Sequence, residues 1–477
     1  MKKTYYLLAV FFIILSCKIE VKEQPKKQNF VFILVDDMGW TDLGYAGSTF
    51  YETPHLDALS KTSVQFTNAY ASASICSPTR ASILTGKHPA RVDITDWIPG
   101  DDNQDKKLIG PKDLDQLPLK EVTIAEVLKQ NGYSTFFAGK WHLGGEGNLP
   151  TNQGFDVNIG GYHKGQPPGG YYVPYKNPYL PDGPEGEYLT DRLTNESIKF
   201  LDTIKEKPFL LYLSYYTVHT PIQANTKHVD KFKQKLKMMD SLVPTDRKEG
   251  TAITKIVQRN PEYASMVYAL DENVGRLIKK LKDTGLYENT TIIFTSDNGG
   301  LTTIEAGLNY DRPTSVMPLR AGKGWLYEGG IRVPLLIKPA HYKGGSNRIS
   351  EPVISHDFFP TMLALANIPS EENSEIDGIS IAPLLTGNKI DRKEIFWHYP
   401  HYHASGWTPG AAIRQGNWKL IEFYETGMVE LYNLAEDISE KNNRASKFPE
   451  RVASLKQRLH ELQKSVNANK AILNPKM

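Results

Sequence analysis

Cysteine is nearly absent: the 477 residues hold two, Cys17 and Cys76. A disulfide scaffold is therefore not the source of stability. Neither sign of charge dominates, with 56 basic residues against 54 acidic and a formal net charge of +2. A dedicated nucleic-acid binder carries a basic excess, so no nucleic-acid partner is expected. No repeat at a fixed period and no long low-complexity tract is found. The apolar run from Tyr5 to Leu15 is too short to cross a bilayer as a stable helix. What remains is a chain 40% hydrophobic, too long for one small core and long enough for a large catalytic domain plus a smaller one.

Lys2 and Lys3 precede the apolar run, which ends Ile14-Leu15-Ser16-Cys17. This start resembles a bacterial lipoprotein signal, cleaved before the cysteine that takes the lipid. An ordinary secretory signal that happens to contain a cysteine is the other reading. The expectation is a signal over 1–17 ending at lipidated Cys17 and a polar tether over 18–28. Attachment to the membrane is then by the lipid alone, in the periplasm or at the outer membrane and cell surface of a Gram-negative bacterium. With Cys17 lipidated, Cys76 is the only free thiol of the mature protein, in an oxidising compartment. That points to chemistry at Cys76, against the alternative of a buried structural cysteine.

Four apolar runs read as buried parallel strands: Phe30 to Val35, Thr135 to Gly139, Phe209 to Leu213 and Thr291 to Thr295. Ile331 to Ile337 is a further candidate. Thr123 and Glu126 form a capping box, with Gly132 at the end of that helix. Leu270, Val274, Leu277, Ile278 and Leu281 recur at helical spacing, with Gly285 as the stop. This alternation predicts an α/β fold, a mainly parallel sheet flanked by helices, whose ligands bind beyond the carboxyl ends of the strands. Asp36, Asp37, Lys140, His142, Asp297 and Asn298 closely follow apolar runs and would gather at that edge. Further on, Trp418 to Tyr424 and Glu430 to Leu434 read as strands. Val452, Leu455, Leu459 and Leu462 mark a helix from Pro449 to about Ser465. The division expected is a catalytic domain over 29–374 and a small antiparallel sheet with one helix over 375–477.

Asp36, Asp37, Asp297 and Asn298 offer hard oxygen donors, suited to Ca²⁺ or Mg²⁺ rather than Zn²⁺. Either pair alone could merely cap the helix after its strand; together they favour a metal site. In Cys76-Ser77-Pro78-Thr79-Arg80, Pro78 suits the first position of a helix that Gly86 ends. Cys76 then sits at a helix N-terminus, where an anion is favoured, and Arg80 can return toward it. A simple thiolate nucleophile is one possibility. Lys140 could be a solvated surface residue and His142 a satisfied loop histidine.

Cys76-x-Pro78-x-Arg80, continued by Ala81-Ser82-Ile83-Leu84-Thr85-Gly86, resembles the sulfatase segment whose cysteine is oxidised to formylglycine. The resemblance extends through Asp36-Asp37-Met38-Gly39, Gly139-Lys140-Trp141-His142-Leu143-Gly144, His219-x-Pro221, Ser296-Asp297-Asn298-Gly299-Gly300, Gly322-Lys323-Gly324 and Glu430-Leu431-Tyr432-Asn433-Leu434. It implies a type I sulfatase of the alkaline phosphatase superfamily. By that resemblance, Asp36, Asp37, Asp297, Asn298 and an oxygen of modified Cys76 hold one Ca²⁺, or Mg²⁺. Lys140 and Lys323 hold the sulfate, and Arg80 steadies the nucleophile. His219 protonates the leaving oxygen, and His142 acts as base on the second hydroxyl of hydrated formylglycine. A formylglycine-generating maturation enzyme is an implied partner. A sulfated polysaccharide or its oligosaccharides is the implied substrate.

The run Trp397-His398-Tyr399-Pro400-His401-Tyr402-His403 could be a substrate-contacting loop or an accident of packing. Two competing readings stand beside the main one. The first is a phosphate or phosphonate ester hydrolase of the same superfamily, which often carries a Thr or Ser nucleophile and two metals. The second is a surface lipoprotein that binds sulfated glycans without cleaving them; a lost nucleophile or metal ligand would support it, and none is lost.

Overall fold

The computed structural model describes residues 26–100, 104–204, 206–369 and 375–477. The expected signal over 1–17, Cys17 and most of the tether over 18–28 lie outside the described residues. The expected domain boundary at 374 falls within 370–374, which also lie outside them.

Eight strands form the central sheet: Asn29–Val35 (β1), Val64–Phe66 (β2), Ser134–Gly139 (β3), Val157–Ile159 (β4), Phe209–Ser214 (β5), Thr290–Ser296 (β6), Leu335–Lys338 (β7) and Asn347–Ile349 (β8). Their order is β8-β2-β7-β6-β1-β5-β3-β4. Only β7 runs against its neighbours, so the sheet is mixed and mainly parallel, as expected. The strands are apolar on both faces because both faces are covered. In β1, Phe30, Phe32 and Leu34 enter one core, while Val31, Ile33 and Val35 enter the other. Helices Cys76–Thr85 (α1), Ile124–Gln130 (α2) and Phe358–Leu365 (α5) contribute to the first core. Helices Leu189–Thr203 (α3) and Pro261–Asp283 (α4) contribute to the second. The capping box at Thr123 and Glu126 is present, and α4 stops before Gly285.

Two local expectations need correction. The strand expected over Ile331 to Ile337 begins only at Leu335, and it is antiparallel to β6. Ile331 instead ends a short helix, Glu328–Ile331. Pro334 lacks an N–H and cannot donate to a ladder, which confines the strand to the residues after it. The helix expected to start at Pro78 starts at Cys76. Pro78 is tolerated there because the N–H groups of a first turn have no intrahelical partner.

The C-terminal part is a four-stranded antiparallel sheet, Glu394–Tyr399 (β9), Gly410–Gln415 (β10), Trp418–Phe423 (β11) and Val429–Asn433 (β12). One face packs on helix Pro449–Ser465 (α6) through Leu455 and Leu459. The other presents Trp397, Tyr399 and Ile421 to Trp325, Tyr327 and Ile331. A buried ionic cluster fastens this sheet to the segment that ends the pocket. Lys419 Nζ lies 2.9 Å from both Glu328 Oε1 and Glu440 Oε1, and all three groups are buried. Burial pushes the Glu440 carboxyl up to about 7. Burial also opposes ionisation of Glu328, but Lys419, Arg332 and Arg414 outweigh it and hold that carboxyl at about 2. Lys419→Met removes the shared cation and leaves two carboxyls facing each other without water. Urea unfolding should show a loss of ~3–5 kcal/mol, the cost of breaking one side of a buried pair. A loss under ~1 kcal/mol would contradict a structural role for the cluster.

Candidate active site

Register brings the distant motifs together. Val35 pairs with Ser296, so Asp36 and Asp37 emerge beside Asp297 and Asn298. The Asp37 N–H donates to Asp297 Oδ1 (3.2 Å), and Asn298 Nδ2 donates to Asp37 Oδ1 (2.8 Å). Gly139 pairs with Ser214, so Lys140 leaves the sheet two strands away from Asp36. Gly139 has φ +106, and a Cβ there would collide with the Ser214 carbonyl; only glycine lets the chain turn toward the pocket at that point. Asp37 and His142 also adopt positive φ, 61° and 59°. Such backbone, sparse for residues other than glycine, concentrates where surrounding structure over-determines it.

Helix α1 aims Cys76 and Arg80 into this cluster. Arg80 Nε and Nη2 donate to Asp297 Oδ2 at 2.9 and 2.7 Å, and Nη1 donates to Lys140 O (2.8 Å) and Ser214 Oγ (2.7 Å). One guanidinium fork thus joins the ends of β3, β5 and β6. Ser77 Oγ donates to His142 O (3.1 Å) and accepts from the Ile98 N–H (3.1 Å), holding the His142 loop against the helix start. Ser77, Ile98 and Ser214 were not singled out from sequence, since nothing marks their linking role. Ser214, directly after the apolar run Phe209 to Leu213, carried the only signal available.

Three buried cations meet three buried carboxylates. Lys140 Nζ lies 2.8 and 3.0 Å from the oxygens of Asp36. Lys323 Nζ lies 2.7 and 2.9 Å from those of Asp37. Burial pushes the Asp36 carboxyl up, more than Lys140 and Arg80 pull it down. At Asp37 burial raises, but Lys323, His219 and Lys140 together hold the carboxyl well below the usual range. Desolvation works against the charges of Arg80 and Lys323, yet their acidic neighbours raise both.

The two histidines occupy different states. His142 Nε2 lies 2.7 Å from Ile98 O, so Nε2 carries the proton and donates it. Its Nδ1 is buried without a partner. Burial, with Lys140 close by, holds this imidazole neutral. His219 Nδ1 lies 2.7 Å from Thr220 O and donates to it, leaving Nε2 facing Asp37 Oδ2 at 3.8 Å. Burial and then Lys323 push His219 down to about 3.

Ligand atoms of Asp36, Cys76 and Asp297 lie within 4.8 Å of one another, as do those of Asp36, Asp37 and His219. The buried Asn298 Oδ1 has no hydrogen-bond partner. Three carboxylates and an orphaned amide oxygen are the donor set of a hard cation, so these residues fit one. Cys76 Sγ is the discordant member, being soft.

All ten residues expected in the pocket are therefore in one cluster. The aromatic and histidine run is not one loop, which corrects that expectation: Trp397, His398 and Tyr399 belong to β9. Trp397 is core, and His398 Nε2 donates to Asn469 O (2.7 Å). His401 is buried beside Thr95 Oγ1 (2.8 Å). Only His403 comes to the side of Lys323 (below).

Comparison with known proteins agrees with this geometry. The family model described as Sulfatase matches residues 28–368, and that described as N-sulphoglucosamine sulphohydrolase, C-terminal, matches 321–465. An ulvan-active sulfatase of Formosa agariphila is 31% identical over 91% of this chain and 81% of its own. Human arylsulfatase A is 32% identical over 83% of this chain and 75% of its own. The structure of Ps i-CgsB in complex with k-i-k-neocarrahexaose superposes with a TM-score of 0.72 at 30% identity, covering 93% of this chain and 94% of that one. With its family model spanning most of the chain, and with the family's motifs converging in one buried cluster, the protein belongs to the sulfatase family and is a sulfuric ester hydrolase.

Proposed function

We propose that the protein hydrolyses sulfate esters of a carbohydrate through formylglycine made from Cys76 and one bound Ca²⁺, or Mg²⁺. One observation carries the reading: position 76 stands among hard oxygen donors where a thiol is a mismatch and an oxygen is not. The names of relatives favour a polysaccharide, since one is an ulvan-active sulfatase and another was solved with k-i-k-neocarrahexaose.

Asp36, Asp37, Asp297 and Asn298 would hold the cation, with an oxygen at position 76 as a further ligand. When present, the cation supplies Lewis-acid charge, and hydrated formylglycine supplies one hydroxyl for attack and a second for release of sulfate. Lys140 and Lys323 bind the sulfate oxygens, and Arg80 favours an ionised nucleophile beside it. His219 exchanges a proton with the leaving oxygen through Nε2, because Thr220 O occupies Nδ1. A bound anionic ester favours the charged ring that burial and Lys323 disfavour in its absence. His142 suits a base on the second hydroxyl: its proton is committed to Ile98 O, and Nδ1 keeps an unshared lone pair.

Mass spectrometry of the peptide containing residue 76, with sulfate release from defined sulfated oligosaccharides, tests the reading. Wholly unmodified cysteine at full turnover overturns it.

The lipoprotein-like start supports export and anchoring at Cys17, in the periplasm or on the cell surface. Cys17→Ala should move the protein from the membrane fraction to the soluble fraction, with kcat altered by less than about twofold, since no residue of the pocket is changed. Unchanged sedimentation with membranes would count against lipidation.

A further inference from the structure

The chain leaving β9 returns to the pocket at His403. Its imidazole packs on Gly324, next in sequence to Lys323. Gly324 has φ +86, and a Cβ there would collide with His403 Nδ1 and Ser405 Oγ. His403 Nδ1 accepts from the Ser405 N–H at 3.1 Å and lies 2.9 Å from Ser405 Oγ. An Nδ1 that accepts from a backbone N–H places the ring proton on Nε2. Among the described residues Nε2 has no partner, and His403 is only half-buried, so this N–H donor is available to a ligand. Lys323 and Asp37 are close enough for both charges to act on the ring.

The loop carrying His403 is fixed from three sides. Trp325 Nε1 donates to Ser405 O (2.8 Å), and the Glu305 N–H donates to Ala404 O (2.9 Å). The Gly406 N–H returns to His403 O (2.9 Å), and Trp407 stacks with Tyr399, rings 6.4 Å apart. So many restraints on one loop are what a preorganised contact requires. Core packing alone explains the tryptophans, but not a partly buried histidine with its tautomer set and its Nε2–H unpartnered among the described residues, packed on the glycine that follows the sulfate-binding lysine.

We propose that His403 contacts the carbohydrate on the leaving-group side of the sulfate, donating from Nε2–H to a hydroxyl or ring oxygen next to the ester, and thereby selects sugar esters over simpler ones. The proposal rests on the hydrolase reading given above. A neutral donor is the suitable group there, because the sulfate's own charge is already met by Lys140 and Lys323. A site built to hydrogen-bond a substrate oxygen also discriminates against esters that lack it.

The test compares His403→Ala and His403→Gln with wild type on two substrates. One is 4-nitrophenyl sulfate; the other is the sulfated mono- or oligosaccharide that wild type turns over fastest in a defined panel. His403→Ala should lower the ratio of carbohydrate to aryl sulfate kcat/KM by roughly tenfold, the scale of one lost hydrogen bond, and mostly through KM. His403→Gln, which keeps a donor of similar reach, should recover a large part of that ratio. A parallel fall on both substrates, or no change in the ratio, overturns the proposal. So does a wild type that cleaves the aryl sulfate and no carbohydrate. Wild-type turnover of the aryl sulfate reports on the hydrolase reading alone, which separates the two failures.

Discussion

Cys76→Ala should fold, retain binding of sulfate esters, and lose turnover by about 10⁴-fold or more, the scale at which removing a covalent nucleophile is felt. Folding survives because the substitution deletes one small buried atom from the first turn of α1, while Arg80, Ser77 and Ser214 still fasten that turn to the sheet ends. Binding survives because Lys140, Lys323 and Arg80 keep their places. Cys76→Ser separates the proposed chemistry from an ordinary hydroxyl nucleophile. A serine has one hydroxyl, so an attack that breaks the ester bond leaves sulfate on the protein with no second hydroxyl to expel it. Intact mass should then show a sulfated variant that accumulates after a single turnover. Multiple turnovers by Cys76→Ser, or full turnover by an enzyme whose residue 76 is wholly thiol, would refute the mechanism. Maturation enters the same experiment. Cys76 is 3% exposed, so oxidation has to precede folding, and protein made without a maturation enzyme should carry unmodified cysteine and proportionally low activity.

Thorough chelation should abolish turnover without unfolding the protein, and Ca²⁺ or Mg²⁺ should restore it. That the protein stays folded follows from charge. Each carboxylate of the site faces a buried cation, Asp36 with Lys140, Asp37 with Lys323 and Asp297 with Arg80, which offsets much of their mutual repulsion when the metal goes. Added cation should raise the melting temperature through mass action, about 2.7 kcal/mol at a hundredfold excess over Kd. Asp297→Asn removes one anionic charge from the ligand set and, among the described residues, the only carboxylate within 3 Å of the Arg80 guanidinium. It should flatten that rise and lower kcat by roughly 10³-fold. Full activity in metal-depleted enzyme would sink the assignment.

Asp36, Asp37, Lys140, His142, Asp297 and Asn298 were legible because they follow apolar runs, and buried parallel strands deliver their ends to one edge. Cys76 and Arg80 were legible from a helix start, whereas Lys323 and the role of His219 were supplied by the resemblance to sulfatases. The partners of those residues were not legible. That Arg80 would reach Asp297 and the Lys140 carbonyl depends on strand order, which no local pattern encodes. Local misreadings had local causes. Apolar residues on either side of Pro334 looked like one strand, yet a residue without an N–H ended that ladder. The strands β9 and β10 went unread for opposite reasons: β9 is crowded with histidine and aromatic residues that suggested a loop, and β10 begins Gly410-Ala411-Ala412, which has little strand character. His398 lies within β9 and meets Gln463 of α6, whereas His403 lies beyond the end of that strand, against Gly324.

β1 runs from Asn29 at one edge of the sheet to Val35 at the other and delivers Asp36 there, about 23 Å from Asn29 at the usual rise per residue. The same strand therefore serves two ends: chain from Cys17 would enter at its first residue, Asn29, and the residue after its last, Asp36, lies in the candidate active site. If the chain is anchored at Cys17 as proposed, lipid and substrate would sit at opposite ends of β1, so that neither would obstruct the other.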